Sequence, residues 1–188
     1  MRKTCVHVVR GDRSVETMFE NEGWEVVDLA EVERQRGLIC FTGGEDINPK
    51  LYGEENEGSR GINDKRDEYE KDIWEFFNCR QPMIGICRGG QLLNVLNGGK
   101  MEQDHSPMHS GIRSIKGPLG SICEVLEDHH QVMLPPIGKR CYTLWSDMKD
   151  DTAEVVILPQ MQVAFQAHPE WGHEPTREFF FHIIAEYI

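Results

Sequence analysis

The residues best suited to covalent chemistry lie in segment 82–91, PMIGICRGGQ. A short apolar run, Met83–Ile86, leads directly into Cys87, and Gly85 and Gly89 stand on either side of this cysteine. A strand, a sharp turn that carries the nucleophile and a following helix form a nucleophile elbow, whose strained turn requires small neighbours. The N-terminal end of the helix favours a reactive thiolate. The sequence therefore predicts that Cys87 is a nucleophile.

A candidate general base follows another predicted strand, residues 162–167 (QVAFQA). This strand runs into His168, Pro169 and Glu170, so a carboxylate stands two residues after an imidazole and can orient it through a hydrogen bond. The proline fixes one backbone angle between the two side chains. We expect His168 to act as the base for Cys87 and Glu170 to act as its orienting acid.

A glycine pair follows a predicted strand at residues 38–41 and lies in the loop 42–46, TGGED. Gly43 and Gly44 allow backbone N–H groups to turn toward a ligand. The pair has two interpretations. It is an ordinary tight turn, or it forms an oxyanion hole together with the backbone N–H of Arg88.

The elements that must position these residues follow from the hydrophobic pattern. Strands are predicted at residues 5–9, 24–29, 38–41, 83–86, 153–158 and 162–167, and helices at 13–22, 65–79, 91–97 and 176–188. Glycines and prolines between residues 100 and 151 predict short strands and loops there. Strand and helix alternate over the first half, which indicates an α/β fold with helices covering a mostly parallel sheet.

Composition sets the class of protein. The chain has 188 residues, of which 39% are hydrophobic and 28% charged, so we expect one ordered domain over residues 1–188. A net charge of −12 disfavours binding to nucleic acid or to an anionic membrane. No apolar run approaches the roughly 20 residues of a membrane span, and the first residues lack a signal-peptide core, so we expect a cytoplasmic protein. Six scattered cysteines without a CxxC pair indicate free thiols.

The histidine-rich segments do not have the spacing of a metal site. His129 and His130 are adjacent in a predicted polar loop, but neither Cys123 nor Asp128 has a diagnostic spacing for a third ligand. Two further histidines are predicted to be exposed or hydrogen-bonded in a loop: His105 and His109. No glycine pair matches a phosphate-binding fingerprint. We therefore expect neither a metal nor a cofactor.

Five segments together resemble class I glutamine amidotransferase domains. Within them, the chain is most similar to the γ-glutamyl-γ-aminobutyrate hydrolase branch of the peptidase C26 group. The segments are FTGGEDINPKLYGEE at 41–55, RDEYEKDI at 66–73, PMIGICRGGQLLNVLNGG at 82–99, HHQ at 129–131 and AHPEW at 167–171. The resemblance implies a flavodoxin-like three-layer sandwich with a mostly parallel central sheet.

The resemblance also implies roles for particular residues. Cys87, His168 and Glu170 match the catalytic triad, and the backbone N–H groups of Gly44 and Arg88 match the oxyanion hole. The residues implied for the substrate-binding side are Gly43, Gln91, His130, Gln131 and Trp171.

The implied reaction is hydrolysis of the γ-glutamyl amide bond of a small γ-glutamyl-amine, or of glutamine, through a glutamyl thioester. Glutamate and the amine are released. The first alternative is a glutaminase component that supplies ammonia to a separate synthase, and a homodimer is left open. Glu127 and Asp128 stand where the family commonly has Asn-Ser, so the leaving amine is undetermined. Two further alternatives are a non-catalytic relative and a thiol enzyme of α/β-hydrolase type, whose acid would be Asp147, Asp150 or Asp151.

Overall fold

The computed structural model describes residues 4–138 and 140–188. Its strands are β1 Cys5–Val8, β2 Glu25–Val26, β3 Leu38–Phe41, β4 Met83–Ile86, β5 Lys100–Glu102, β6 His109–Lys116, β7 Ile122–His129, β8 Val132–Leu134, β9 Tyr142–Asp147, β10 Ala153–Leu158 and β11 Gln162–Phe165. Its α-helices are α1 Arg13–Asn21, α2 Leu29–Gln35, α3 Asp64–Phe77, α4 Arg88–Leu96 and α5 Glu174–Tyr187. Among the described residues, no helix has both the length and the apolar character needed to cross a membrane.

The central sheet has the strand order β2-β1-β3-β4-β11-β10-β9-β6-β7. Neighbouring strands from β2 to β11 are parallel, whereas the pairs from β11–β10 to β6–β7 are antiparallel. Strand β8 joins β10 and also pairs with β5. Because β3, β4 and β11 are parallel neighbours, the segments that follow them emerge at one edge of the sheet, where ligands of open α/β sheets bind.

Helices cover both faces of the sheet. Helices α1 and α5 pack on one face, where the rings of Phe19 and Phe180 lie 6.0 Å apart between centroids. Helices α2, α3 and α4 bury Val32, Ile73 and Leu92 against the other face. Strand β3 is covered on both sides, and its sequence LICF is apolar at every position. The predicted three-layer α/β fold with a mostly parallel central sheet is confirmed.

The predicted strand at residues 24–29 differs from the structure. Strand β2 contains only Glu25–Val26, and Leu29 is the first residue of helix α2, which the hydrophobic pattern did not indicate. The Asp28 side chain accepts a 2.8 Å hydrogen bond from the N–H of Glu31 and thereby caps the helix. Asp28, a polar residue within an apolar run, therefore starts helix α2 where the hydrophobic pattern predicts that the strand continues.

Segment 100–151 forms short strands, as predicted, but two of its histidines are not in loops. His109 begins β6 and His129 ends β7, and these two residues are directly opposite each other in the antiparallel ladder. Strand pairing therefore fixes the two side chains relative to each other. The sequence-based prediction places both histidines in loops.

Candidate active site

Cys87 occupies a sharp turn between β4 and α4. Its backbone angles are φ 49° and ψ −111°, outside the regions that a residue with a side chain normally adopts. The Cys87 N–H donates to the Phe165 carbonyl at 2.8 Å, and the Cys87 carbonyl accepts from the Gln91 N–H at 2.9 Å. These bonds tie the turn to β11 and α4, so the surrounding fold holds the strained residue in place.

Two glycines beside Cys87 are required by close backbone contacts. A Cβ on Gly85 would lie less than 3.0 Å from the backbone of Gly89, and a Cβ on Gly89 would lie equally close to the Phe41 carbonyl. No side chain fits at either position without a backbone shift. The elbow predicted from the glycine spacing therefore has its expected local geometry.

His168 and Glu170 form a buried pair directly after β11. His168 Nδ1 donates to Glu170 Oε1 at 2.8 Å, and the side chains are only 6% and 5% exposed. The Trp171 indole stacks on the imidazole with centroids 3.8 Å apart. Burial alone would lower the pKa of His168, but interactions with Cys87 and Glu170 outweigh it and raise that pKa to about 10. The site therefore favours a protonated imidazole.

The fold brings Cys87 and His168 beside the same glycine, Gly43. An ideal Cβ at this glycine would lie 3.3 Å from His168 Cε1 and 3.8 Å from Cys87 Cβ. Within the described ranges, the buried Nε2 of His168 has no hydrogen-bond partner. The structure thus places the thiol, the imidazole and its carboxylate partner together.

Cys87 opens into a cavity of about 220 Å³. Its lining residues are Gly44, Asp46, Cys87, Gln91, Met108, Asp128, His129, His130 and Gln131. Four residues that the sequence assigned to substrate or oxyanion binding are therefore beside the thiol. Gly43 instead lines a neighbouring cavity, and Trp171 covers the outer side of His168.

The cavity wall carries linked amide side chains. Gln91 Nε2 donates to the Gln131 carbonyl and to Gln166 Oε1, both at 3.4 Å. Gln166 Nε2 in turn lies 3.7 Å from Cys87 Sγ. Sequence reasoning did not single out Gln166, although its place two residues before His168 was a usable signal.

His130 and Gln131 are anchored from the opposite wall. His130 Nε2 lies 2.9 Å from Asp46 Oδ2, and His130 Nδ1 lies 3.1 Å from Asp104 Oδ1. Gln131 is 1% exposed and donates from Nε2 to Ser59 Oγ at 2.8 Å. Both side chains are held before any ligand arrives.

A buried ion network supports the glycine loop from behind. Arg66 donates from Nε to Glu70 at 2.8 Å, from Nη1 to Glu45 at 2.6 Å and from Nη2 to the Gly43 carbonyl at 2.8 Å. The side chain of Arg88 points away from the cavity and pairs with the same Glu70. Sequence reasoning missed this network because α3 was predicted from its apolar positions alone.

A larger cavity lies away from these residues. It measures about 580 Å³ between β7, β9 and α5, with Ile122, Trp145 and Phe179 in its wall. None of the predicted site residues lines it, and Cys123 is the only thiol among its described lining residues. The smaller cavity at Cys87 is therefore the better candidate for chemistry.

Comparison with known proteins gives consistent matches. The peptidase C26 family model matches residues 25–139. YvdE, a candidate glutamine amidotransferase-like protein of Lactococcus lactis subsp. lactis (strain IL1403), is 34% identical over 172 residues, covering 78% of this chain and 72% of the relative.

Solved structures agree in fold. A candidate GMP synthase component from Thermoplasma acidophilum has a TM-score of 0.73 at 16% identity, covering 98% of this chain and 94% of the other. A glutamine amidotransferase of Thermotoga maritima has a TM-score of 0.67 at 17% identity, covering 99% and 84%. The chain therefore belongs to the peptidase C26 family of class I glutamine amidotransferase-like proteins, a membership that supports an amidohydrolase type of activity.

Proposed function

We propose that this protein hydrolyses the γ-glutamyl amide bond of a small γ-glutamyl-amine and releases glutamate and the amine. Cys87 is the nucleophile, His168 the general base and acid, and Glu170 the residue that orients the imidazole. The single observation that carries the proposal is that a strained cysteine, which lines a cavity, lies close to a buried His–Glu pair.

The first half of the reaction forms a thioester. Cys87 Sγ attacks the γ-carbonyl carbon, and His168 Nε2 holds the proton that the thiol has lost. The tetrahedral oxyanion is stabilised by the backbone N–H groups of Gly44 and Arg88. When the C–N bond breaks, His168 returns the proton to the leaving nitrogen, and the glutamyl group remains on sulfur.

The second half of the reaction hydrolyses the thioester and frees the sulfur of Cys87. Water attacks the thioester carbonyl while His168 Nε2 removes one of its protons. The C–S bond then breaks, glutamate leaves, and Cys87 is released as a thiolate beside the protonated His168. Glu170 keeps Nδ1 protonated throughout, because a carboxylate can only accept a hydrogen bond there.

The mouth of the cavity indicates the chemistry of the leaving group. Asp46 and the exposed Asp128 both line it, and no lysine or arginine among the described residues does so. Two carboxylates favour an amine that carries a further positive charge. We therefore expect γ-glutamyl derivatives of diamines to be better substrates than those of amino acids.

A second candidate function is a glutaminase that passes ammonia to a partner synthase. The fold similarity to a candidate GMP synthase component favours it. Glutamate release from glutamine that requires an added partner protein would support this function. Release from γ-glutamyl-amines by the chain alone would support the hydrolase.

The test of the chemistry is replacement of the thiol. Cys87→Ala is expected to abolish glutamate release from a panel of γ-glutamyl-amines, with unchanged circular dichroism. The matched control is Cys79→Ala, because Cys79 is exposed and does not line the cavity at Cys87. Mass spectrometry of the wild-type protein quenched during turnover should detect a glutamyl adduct on Cys87. Wild-type rates in Cys87→Ala would disprove the mechanism.

A further inference from the structure

A cluster of buried ionisable side chains lies beside the cavity but takes no part in the proposed reaction. It consists of His109 on β6, Glu127 and His129 on β7, and Glu154 on β10. None of the four is more than 5% exposed. One ligand atom from each lies within 4.8 Å of all the others. Three strands thus direct two imidazoles and two carboxylates at a single point.

The polar atoms that face this point have no hydrogen-bond partner in the described part of the chain. They are His109 Nδ1, both carboxylate oxygens of Glu127, His129 Nε2 and Glu154 Oε2. Buried polar atoms are normally satisfied, because each unsatisfied one costs about 1–3 kcal/mol. Five such atoms around one point indicate a ligand that interacts with all of them at once.

The distances between the carboxylate oxygens and imidazole nitrogens of the cluster suit metal coordination better than hydrogen bonding. Glu127 Oε2 lies 3.2 Å from His109 Nδ1 and 3.5 Å from His129 Nε2. Glu154 lies 3.6 Å from His109 Nδ1 through Oε1 and 4.0 Å from His129 Nε2 through Oε2. A tetrahedral ion with ligands at about 2.1 Å separates those ligands by about 3.4 Å, close to these values.

The outer nitrogen of each imidazole is already engaged. His129 Nδ1 donates to the Gln131 carbonyl at 2.9 Å, which leaves Nε2 with a free electron pair. His109 Nε2 lies 2.9 Å from Asp150 Oδ2 and 3.2 Å from Arg113 Nη2. The carboxylate is the nearer partner and requires an N–H, so Nδ1 is the nitrogen of His109 that faces the two glutamates and would bind a metal ion in place of a proton. Metal-binding histidines commonly have such outer partners.

The local charge balance also calls for a cation. Arg113 is the nearest basic side chain, and it is shared among Asp147 at 2.7 Å, Asp150 at 3.3 Å and Glu127 at 3.4 Å. Glu154 has no arginine or lysine partner among the ion pairs of the described residues. Buried carboxylates require protons or a cation to offset desolvation, and a divalent ion supplies two positive charges.

We propose that His109, Glu127, His129 and Glu154 bind one divalent transition-metal ion, with Zn²⁺ as the preferred ion. Four protein ligands in a closed, buried site are typical of structural zinc rather than of zinc that activates water. The ion would join β6, β7 and β10, and it would fix the cavity wall because His129 also lines that cavity. This inference does not depend on the proposed function, and it departs from the sequence-based expectation of no metal.

The first experiment measures metal content and ligand type in the full chain. Protein dialysed against chelator and then titrated with Zn²⁺ should take up one equivalent and unfold at a higher temperature. Co²⁺ should give the visible absorption of a tetrahedral ion without sulfur-to-metal charge-transfer bands, because no cysteine belongs to the cluster. Bands of that kind would assign the binding to one of the free thiols and overturn the proposal.

The second experiment uses a matched pair of variants. Glu154→Gln keeps the shape of a buried ligand and should weaken Zn²⁺ binding at least tenfold, the lower end for loss of a supporting group. The control is Glu186→Gln on the exposed side of α5, where a His182–Glu186 pair lies 3.2 Å apart. It should bind as the wild type does.

The first of two outcomes that would disprove the proposal needs no variant at all. If the wild-type chain takes up no stoichiometric Zn²⁺, or if Glu154→Gln folds and binds it unchanged, the cluster is a proton-sharing network and the proposal is wrong. Glutamate release can be assayed in parallel, so that loss of catalysis and loss of metal binding are distinguished.

Discussion

The protonation state of the proposed triad depends on the charge of a single residue, His168. Its pKa of about 10 reflects Cys87 and Glu170 acting against burial. Because this folded-state pKa lies above the usual value of about 6.5, the protonated ring stabilises the fold below pH 6.5. That stabilisation is lost as the pH rises through 10.

Replacement of the orienting carboxylate tests this balance. Glu170→Gln removes a negative charge 2.8 Å from Nδ1, so the pKa of His168 should fall and turnover should drop by about 10²–10⁴-fold. NMR titration of the imidazole and kcat against pH measure the two effects. A control is Glu174→Gln, which changes an exposed carboxylate at the start of α5. An unchanged His168 titration in Glu170→Gln would contradict the assigned role.

At the scale of elements, the contact between β3, β4 and α4 depends on glycine. A Cβ on Gly89 would meet the Phe41 carbonyl, which is backbone and cannot rotate away. Gly89→Ala should therefore destabilise the fold by about 1–3 kcal/mol and displace Cys87 enough to reduce activity. Chemical denaturation and glutamate-release assays measure both. The control is Gly138→Ala. An added Cβ there meets nothing within 4 Å, although the positive φ still strains alanine. Equal losses of activity in the two variants would contradict the prediction.

The elements also explain which features could be predicted from sequence. The elbow and the His168–Glu170 pair are local, because glycine spacing and a two-residue separation determine them. The cluster that includes His109 and Glu154 depends on the register of β6 with β7 and on the approach of β10, which no local pattern encodes. The same holds for Arg66, because its partners Glu45 and Gly43 are 21 and 23 residues away in the chain.

For the molecule as a whole, the net charge of −12 determines how stability depends on salt. Like charges repel over the surface, and salt shortens their reach from about 30 Å at 0.01 M to about 8 Å at 0.15 M. We therefore expect the melting temperature to rise with NaCl at pH 7, by about 2–4 °C for each kcal/mol of repulsion removed. Near pH 5.1, the sequence isoelectric point, the same salt should have little effect. A melting temperature that is independent of salt at pH 7 would contradict this expectation.

The stacking of Trp171 on His168 gives the protein an internal optical reporter. The indole is half exposed and its ring lies parallel to the imidazole, with an interplanar angle of 10°. A protonated imidazole at that distance withdraws an electron from the excited indole and thereby quenches the indole's fluorescence. We therefore expect the fluorescence of this tryptophan to report the protonation state of His168, without any added dye.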